Sequence, residues 1–544
     1  MRKKTLGALL CTVAAMAVLT GCGGDKKETA AAPAEANTTA AVTEAAKIEA
    51  ETTAAVQTEA GGEKNLVMPS ASCVANLNPL LEGYKEAAML NPIYDPLYVI
   101  DVNETRYYLA DSYEVSEDGM QITVKLKEGL KWHDGEAITA DDMIFTMDVC
   151  SDTNNGAAGT NIAILNDQPV KYEKVDDLTV KVSLPMASAS YADLLGGLTL
   201  IPEHVFEGNP SVVSAGEANM KGIGSGPYKV TEFKQDEYLL LEKYEDYYMG
   251  APSIDKVTFR IISDLSAQEV ALMNGEVNFM ELANAPAVAK YEADPNFTVV
   301  KYPEGRVNYL AVNKFCETVQ DPKVVEAVFA ALNRDEIIAG AYGDGMAESA
   351  NSIFSNVNTF YDPSVEGYTQ DVEKAKQLVK ETGLDSKILT LYFNSERVYM
   401  KESAQIIQQQ LKNVGINLEV IPLESAGFFE KVFGTDGDYE FYLNGYGAVG
   451  DPDQVVAGMY NGTWGVNLAV SDEVAQLWKD ARTVYTPEER AEIYKQIQIQ
   501  TRDELTCYPI AYPNYVFVTT SNIKGADTIK RTPVFEDYTK LTME

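Results

Sequence analysis

The chain has 544 residues, 46% of them hydrophobic and 23% charged, and carries a formal net charge of −37. At roughly 100 to 200 residues per domain, one compact core cannot hold it, so two or three domains are expected. The acidity makes nucleic acid and anionic membrane surfaces poor partners, because long-range electrostatics oppose both.

The chain starts with the basic residues Arg2, Lys3 and Lys4, followed by an Ala-rich apolar run from Thr5 to Leu19. That order is a secretory signal pattern, and the run is too short for a comfortable membrane span. It ends in Leu19-Thr-Gly-Cys22, which resembles the lipobox of bacterial lipoproteins and implies cleavage after residue 21 and lipid on the Cys22 sulfur. Residues 22–62 are rich in Ala, Thr and Glu and hold no aromatic residue. Such a segment buries too little apolar area to offset its ordering entropy and reads as a disordered tether. The remaining cysteines, Cys73, Cys150, Cys316 and Cys507, are far apart and form no zinc spacing. They are expected to be mostly buried thiols, with pairing left open.

Ordered periodicity begins at Asn65. Ile122, Val124 and Leu126 alternate with polar residues as in a half-buried strand. Glu128-Gly129 turns the chain, and Thr139 with Asp142 forms a capping signal ahead of Met143, Ile144 and Met147 at helical spacing. The Gly-rich run Gly222 to Tyr228 leads into a strand, whereas a phosphate loop needs a helix N-terminus behind it, so it reads as a turn. A strand-helix-strand unit is predicted over Ile388 to Phe393, Tyr399 to Val414 and Ile416 to Pro422, which argues for an α/β lobe. Helices are also predicted over Pro322 to Leu332, Val372 to Glu381 and Pro487 to Leu505, the last capped by Thr486 with Glu489 completing a box.

Catalytic signatures are weak. There are only two histidines: His133 in Trp-His-Asp-Gly, read as a tight turn, and His204 in Leu200 to Phe206, read as a helix-start or core-edge residue. No Gly-x-Ser-x-Gly elbow and no His-Glu-x-x-His run occurs. The Asp101 to Thr105 stretch starts like a calcium loop, but Arg106 stands where glycine is needed. No catalytic residue, metal ligand or cofactor is assigned, and the chain is expected not to be an enzyme.

The order of motifs carries a resemblance. Asn91-Pro-Ile-Tyr-Asp-Pro-Leu-Tyr98, Tyr108-Leu-Ala-Asp-Ser-Tyr113 and Val124-Lys-Leu-Lys-Glu-Gly-Leu-Lys-Trp-His-Asp-Gly135 are followed by Gly224-Ser-Gly-Pro-Tyr228, Asp246-Tyr-Tyr248 and Leu272-Met-Asn-Gly-Glu-Val277. Asn308-Tyr-Leu-Ala-Val-Asn313 and Gln408-Gln-Gln-Leu-Lys412 come later. Together they resemble the extracellular solute-binding proteins of family 5, the peptide- and nickel-type receptors of ABC importers. The resemblance implies an α/β, two-lobed periplasmic-binding-protein-like fold of type II, with an extra subdomain and a two-segment hinge. It places lobe I at 63–304 and 506–544, with the extra subdomain near 103–190, and lobe II at 305–505. The hinge crossings fall near Arg306 to Asn313 and Tyr508 to Tyr515. Expected partners are a peptide or other small solute, ABC permease subunits, and the membrane through lipid on Cys22; the protein is expected to be monomeric and extracytoplasmic.

By the same resemblance, solute contacts fall on Ser70, Ala71, Ser72 and Cys73 of lobe I and on Asn444, Gly445, Tyr446, Gly447, Ala448 and Val449 of lobe II, with Tyr446 either at the family's aromatic position or simply packed in the core. The chain departs from the pattern twice. Peptide binders place an aspartate shortly after that aromatic residue, where this chain has Gly447-Ala-Val449, with Asp451 and Asp453 further on as helix caps. The region that supplies an arginine for a dipeptide's carboxylate reads Phe393-Asn-Ser-Glu396, leaving Asn394 and Arg397 as nearby candidates. These departures keep longer or modified peptides open. The alternatives are another solute of the same family, such as a nickel chelate, an opine or a sugar, or a lipid-anchored extracytoplasmic hydrolase.

Overall fold

The computed structural model describes residues 63–81, 89–100, 104–460, 468, 470–528 and 537–544; the signal, Cys22 and the tether lie outside the described residues. Three sheets organise them. The first runs in the order Asn65–Ser70, Lys256–Ile261, Tyr238–Lys243, Tyr228–Lys234, parallel at the first pairing and antiparallel at the others. Its buried face gathers Leu66, Met68, Leu239, Leu241 and Phe259 with Phe517, Tyr538 and Leu541 from the end of the chain.

The second sheet is built on the 14-residue strand Cys507–Thr520. Toward its C-terminal end it pairs with Phe297–Pro303, from Asn514 to Thr520, and toward its start with Arg306–Val312, from Cys507 to Ala511. Gly305 sits between those two partner strands with φ +72°, and a Cβ there would lie 1.9 Å from the Val449 side chain, so the position demands glycine on both counts. Beyond Arg306–Val312 the sheet continues through Phe441–Gly447, Ile388–Asn394 and Asn417–Leu423. The last two are parallel and joined by the helix Val398–Asn413, which buries Met400, Ala404, Ile407 and Leu411 along one face. The predicted strand-helix-strand unit is therefore present.

The third sheet is antiparallel throughout: Ala110–Val115, Gln121–Leu126, Thr179–Ser183, Lys171–Asp176. Ile122, Val124 and Leu126 are buried, as their alternation predicts. The helix Ala140–Ser151 opens with the predicted box: Thr139 N–H donates to Asp142 Oδ2 at 2.9 Å, and the Thr139 side chain accepts from the first turn. One cap prediction fails. The helix Pro487–Asp503 has proline in its first turn, but Thr486 makes no side-chain cap bond.

Four of the sequence motifs meet where the first sheet joins the third. Gly224 and Gly226 lie so close to the 92–93 backbone that an added Cβ would sit 1.9 Å from Ile93 O and 2.7 Å from Pro92 O respectively. Gly226 N–H donates to Ile93 O at 2.8 Å, and Asp95 N–H donates to Ser225 Oγ at 3.0 Å. The glycines of this turn serve close backbone approach rather than anion binding. Asp95 Oδ2 in turn accepts from the hydroxyls of Tyr247 and Tyr248, both at 2.8 Å.

Candidate functional site

His133 is buried in that junction, and both ring nitrogens are taken by backbone. Gly224 N–H donates to Nδ1 at 3.1 Å, which makes Nδ1 an acceptor, so Nε2 carries the proton and donates to Gly226 O at 2.9 Å. The ring is thus held neutral in one tautomer. Burial pulls the His133 pKa down to about 4, and the Lys229 ammonium nearby acts in the same direction. With both nitrogens occupied, the imidazole has no free face for proton transfer. His204 lies at the start of the short 3-10 helix Glu203–Phe206, as one of the two expectations had it, but it is exposed rather than at the core edge and lies 2.8 Å from Asp134. The segment's apolar residues, Val205 and Phe206, fill the core and turn the ring outward.

The candidate contact residues fall in three places. Ser70 ends the edge strand of the first sheet, its Oγ donating to Ser72 O at 2.7 Å, and Ala71 and Ser72 are exposed while Cys73 is half-buried. Asn394 ends the strand Ile388–Asn394; it is buried, donates to Ser425 Oγ at 2.8 Å and accepts from Glu396 N–H at 3.0 Å. Its amide shapes a turn. Arg397 is the residue before the helix Val398–Asn413 and donates to Tyr399 Oη at 3.2 Å.

The third place is Asn444 to Val449. Asn444, Gly445, Tyr446 and Gly447 close the strand Phe441–Gly447, paired to Tyr309, Asn308, Val307 and Arg306. Gly445 is fixed by contact, since a Cβ there would lie 2.1 Å from Asn308 Oδ1. Tyr446 is buried, packs against Tyr309 with ring centroids 5.2 Å apart, and donates its hydroxyl to Ile353 O at 2.6 Å. Its side chain is held in the core, which leaves only its backbone at the strand edge. Gly447 is exposed with open space above its Cα. Ala448 N–H donates to Gly305 O at 2.7 Å, and Ala448 O accepts from Ser355 and Asn358. On the opposite edge, Ile388–Asn394 pairs with this strand only at Leu391–Phe441 and Tyr392–Tyr442. From Leu443 onward that edge makes no further ladder pairing among the described residues.

Sequence reasoning missed the part played by Asp451 to Gln454. Asp451 does cap the short helix Pro452–Val455, but its carboxylate is also gripped by Arg490 through bonds of 2.6 and 3.0 Å, both side chains being 7% exposed. Asp453 is not a cap: it takes Arg482 Nε at 2.6 Å and Ser190 Oγ at 3.1 Å. Burial raises its carboxyl pKa against the pull of Arg482. Asp193 accepts from Asp451 N–H at 2.9 Å, and Gln454 donates to Ser190 Oγ at 2.6 Å. Ala189 N–H donates to Arg482 O at 2.9 Å. The segment after the candidate strand is thus tied to residues 189–193, beside the third sheet. The signal in the sequence was the Asp-Pro-Asp run, whose partners lie far away along the chain.

The four cysteines are free thiols, Cys150, Cys316 and Cys507 buried. Among the described residues no group of His, Cys, Asp or Glu could hold a metal ion, and no helix is long and apolar enough to cross a membrane.

Comparison with known proteins identifies the fold. Residues 104–467 match the model of the bacterial extracellular solute-binding proteins, family 5. The chain belongs to this family. Family 5 members are extracytoplasmic solute-binding receptors of ABC transporters rather than enzymes. A dipeptide-binding protein of Escherichia coli is 27% identical over 493 residues, 85% of this chain and 92% of that protein. The crystal structure of the ABC transporter substrate-binding protein CtaP from Listeria monocytogenes superposes with a TM-score of 0.83 at 33% identity, covering 89% of this chain and all of that one. The oligopeptide-binding protein AppA of Bacillus subtilis, solved with a nonapeptide, gives 0.70 at 25% identity over 89% of this chain and all of that one. The α/β architecture expected from the resemblance is therefore the fold of the family.

Proposed function

We propose that this family 5 receptor captures peptides in extended form between two lobes, one formed by 63–304 with 506–544 and one by 305–505, and delivers them to a permease while tethered by lipid on Cys22. The observation that carries the reading is the strand edge beyond Tyr442, which makes no further ladder pairing at Leu443 to Gly447 among the described residues. An extended ligand adds to such an edge by main-chain hydrogen bonds, which hold it with little regard to side-chain identity. The edge strand ending at Ser70 to Cys73 supplies the facing backbone. Side-chain anchors for a free-ended dipeptide are scarce: residues 447–450 hold no carboxylate, Asp451 is occupied by Arg490, and Asn394 is committed to its turn. The reading therefore favours peptides longer than two residues. Binding to both lobes stabilises the closed form over the open one, which is the signal a permease reads.

Mass spectrometry of solute co-purified with the chain from Gly62 onward tests this directly. Recovery of peptides of four or more residues, with matching thermal stabilisation when they are added back, is expected. Recovery of a metal chelate, sugar or opine alone would overturn the peptide assignment.

A further inference from the structure

A cavity of about 240 Å³ lies between Asp453, Gln454, Gly458 and Arg482 on one side and residues 161, 164–166 and 186–188 on the other. One water needs only about 10–15 Å³ of such space, so the volume suits an organic group rather than a single solvent molecule. Its polar wall comprises Asn161, Asn166, Ser188, Asp453, Gln454 and Arg482. Asp453 and Arg482 form one ion pair, and the other four are neutral. Asp453 has one oxygen on Arg482 and the other on Ser190, and Gln454 donates to Ser190. Arg482 is different. It spends Nε on Asp453, and its two terminal amino groups have no protein partner among the described residues. A guanidinium with its outer fork free, at the wall of a partly enclosed cavity, is built to take a planar anion through paired N–H donors.

We propose that this cavity is a carboxylate-accepting subsite, Arg482 gripping a carboxylate of the bound solute. The inference rests on the peptide reading above, and it adds a preference that main-chain pairing alone does not give. The carboxylate comes either from the peptide's C-terminus or from an acidic side chain. Because the two walls belong to segments joined by the contacts of Ser190, Asp193 and Ala189 with 451–454 and Arg482, and of Gly119 with Tyr485, the subsite is complete only when those contacts are made.

Three synthetic hexapeptide pools decide it, measured by calorimetry against the lipid-free chain: one with free C-termini and acidic residues, the same pool amidated at the C-terminus, and a free-ended pool with Asp and Glu replaced by Asn and Gln. The wild-type protein is expected to bind the first pool at least tenfold more tightly than whichever pool lacks the recognised carboxylate, and that pool names the source. Arg482→Gln should abolish the preference by weakening the first pool about ten- to a hundredfold, the range of a charged hydrogen-bonded contact. Since Arg482 also partners Asp453, a second variant acts from the opposite wall: exposed Asn161→Asp places a like charge in the cavity and should weaken the carboxylate pool while sparing the pool without it. Equal binding of all three pools by wild type, or a preference unchanged in both variants, overturns the subsite and leaves the peptide reading standing. Failure of every pool to bind wild type removes the peptide reading, and the subsite falls with it.

Discussion

At the scale of single residues, His133 and Asp95 clamp the same Gly224 to Gly226 turn and answer pH in opposite senses. The His133 pKa falls from its ordinary value to about 4 through burial, so the folded state binds fewer protons than the unfolded chain below pH 6.5. Its contribution is whole above pH 6.5 and is lost as pH falls toward 4, on the order of 3 kcal/mol in all. Burial pushes the Asp95 carboxyl up to about 7, although the two tyrosine hydroxyls and Lys127 pull the other way. There the folded state binds more protons, so stability is lost as pH rises from about 4 to 7, again by a few kcal/mol. Denaturant titrations between pH 4 and 7.5 should therefore show Asp95→Asn gaining relative to wild type as pH rises; an unchanged pH profile would contradict the assignment. His133→Ala should cost about 2–4 kcal/mol at pH 7 from lost packing and two orphaned backbone groups, with solute affinity unchanged by calorimetry. The turn around His133 was readable as a turn because Asp134-Gly135 announces it locally. That it serves to hold Gly224 and Gly226 was not, since the partners lie 91 and 93 residues away.

At the scale of elements, the contrast between local and distant signals repeats. The strand Gln121–Leu126, the boxed helix Ala140–Ser151 and the unit from Ile388 to Leu423 were legible because periodicity and capping are properties of neighbouring residues. The failed Thr486 cap shows the limit of that logic, since proline in the first turn starts the helix without it. The helix Pro487–Asp503 is anchored instead by Arg490, whose guanidinium meets Asp451, the Ala481 carbonyl and Tyr494 and lies 4.9 Å from the Phe360 ring centre. Removing one partner of such a buried pair leaves the other charge uncompensated. Arg490→Met is thus expected to cost about 3–5 kcal/mol, and the double change with Asp451→Leu to recover much of it. A double-mutant cycle in guanidinium measures this; additive losses would mean that the two residues do not act as a pair.

At the scale of the whole molecule, the contacts that bring the third sheet against 451–485 include one steric key. Gly119, at φ +64°, lies directly beneath the Tyr485 ring, where a Cβ would sit 1.8 Å from the ring carbon bearing the hydroxyl. On the two-lobed reading, Gly119→Ala obstructs closure more than folding. Beyond the roughly 1–2 kcal/mol of left-handed strain common to both forms, solute affinity should fall about tenfold or more, and small-angle scattering should show a smaller contraction on adding solute. Wild-type affinity and contraction in that variant would place the closing motion elsewhere. Such couplings, 366 residues apart for Tyr485 and Gly119 and 264 for Gln454 and Ser190, are invisible to any window moved along the sequence.

The strand Cys507–Thr520 lends its two ends to different sets of partners, with Phe297–Pro303 at one and Arg306–Val312 at the other, and Phe517 enters the core of the first sheet. A chain delivered N-terminus first therefore has neither set finished until nearly all of it has arrived. The last segment acts as a timer: the strands Phe297–Pro303 and Arg306–Val312 wait for residues 507–520 before the second sheet can close. The native state then forms late, through pairings that close loops of some two hundred residues or more, the kind of topology that folds slowly and, once locked, is protected by the same long connections.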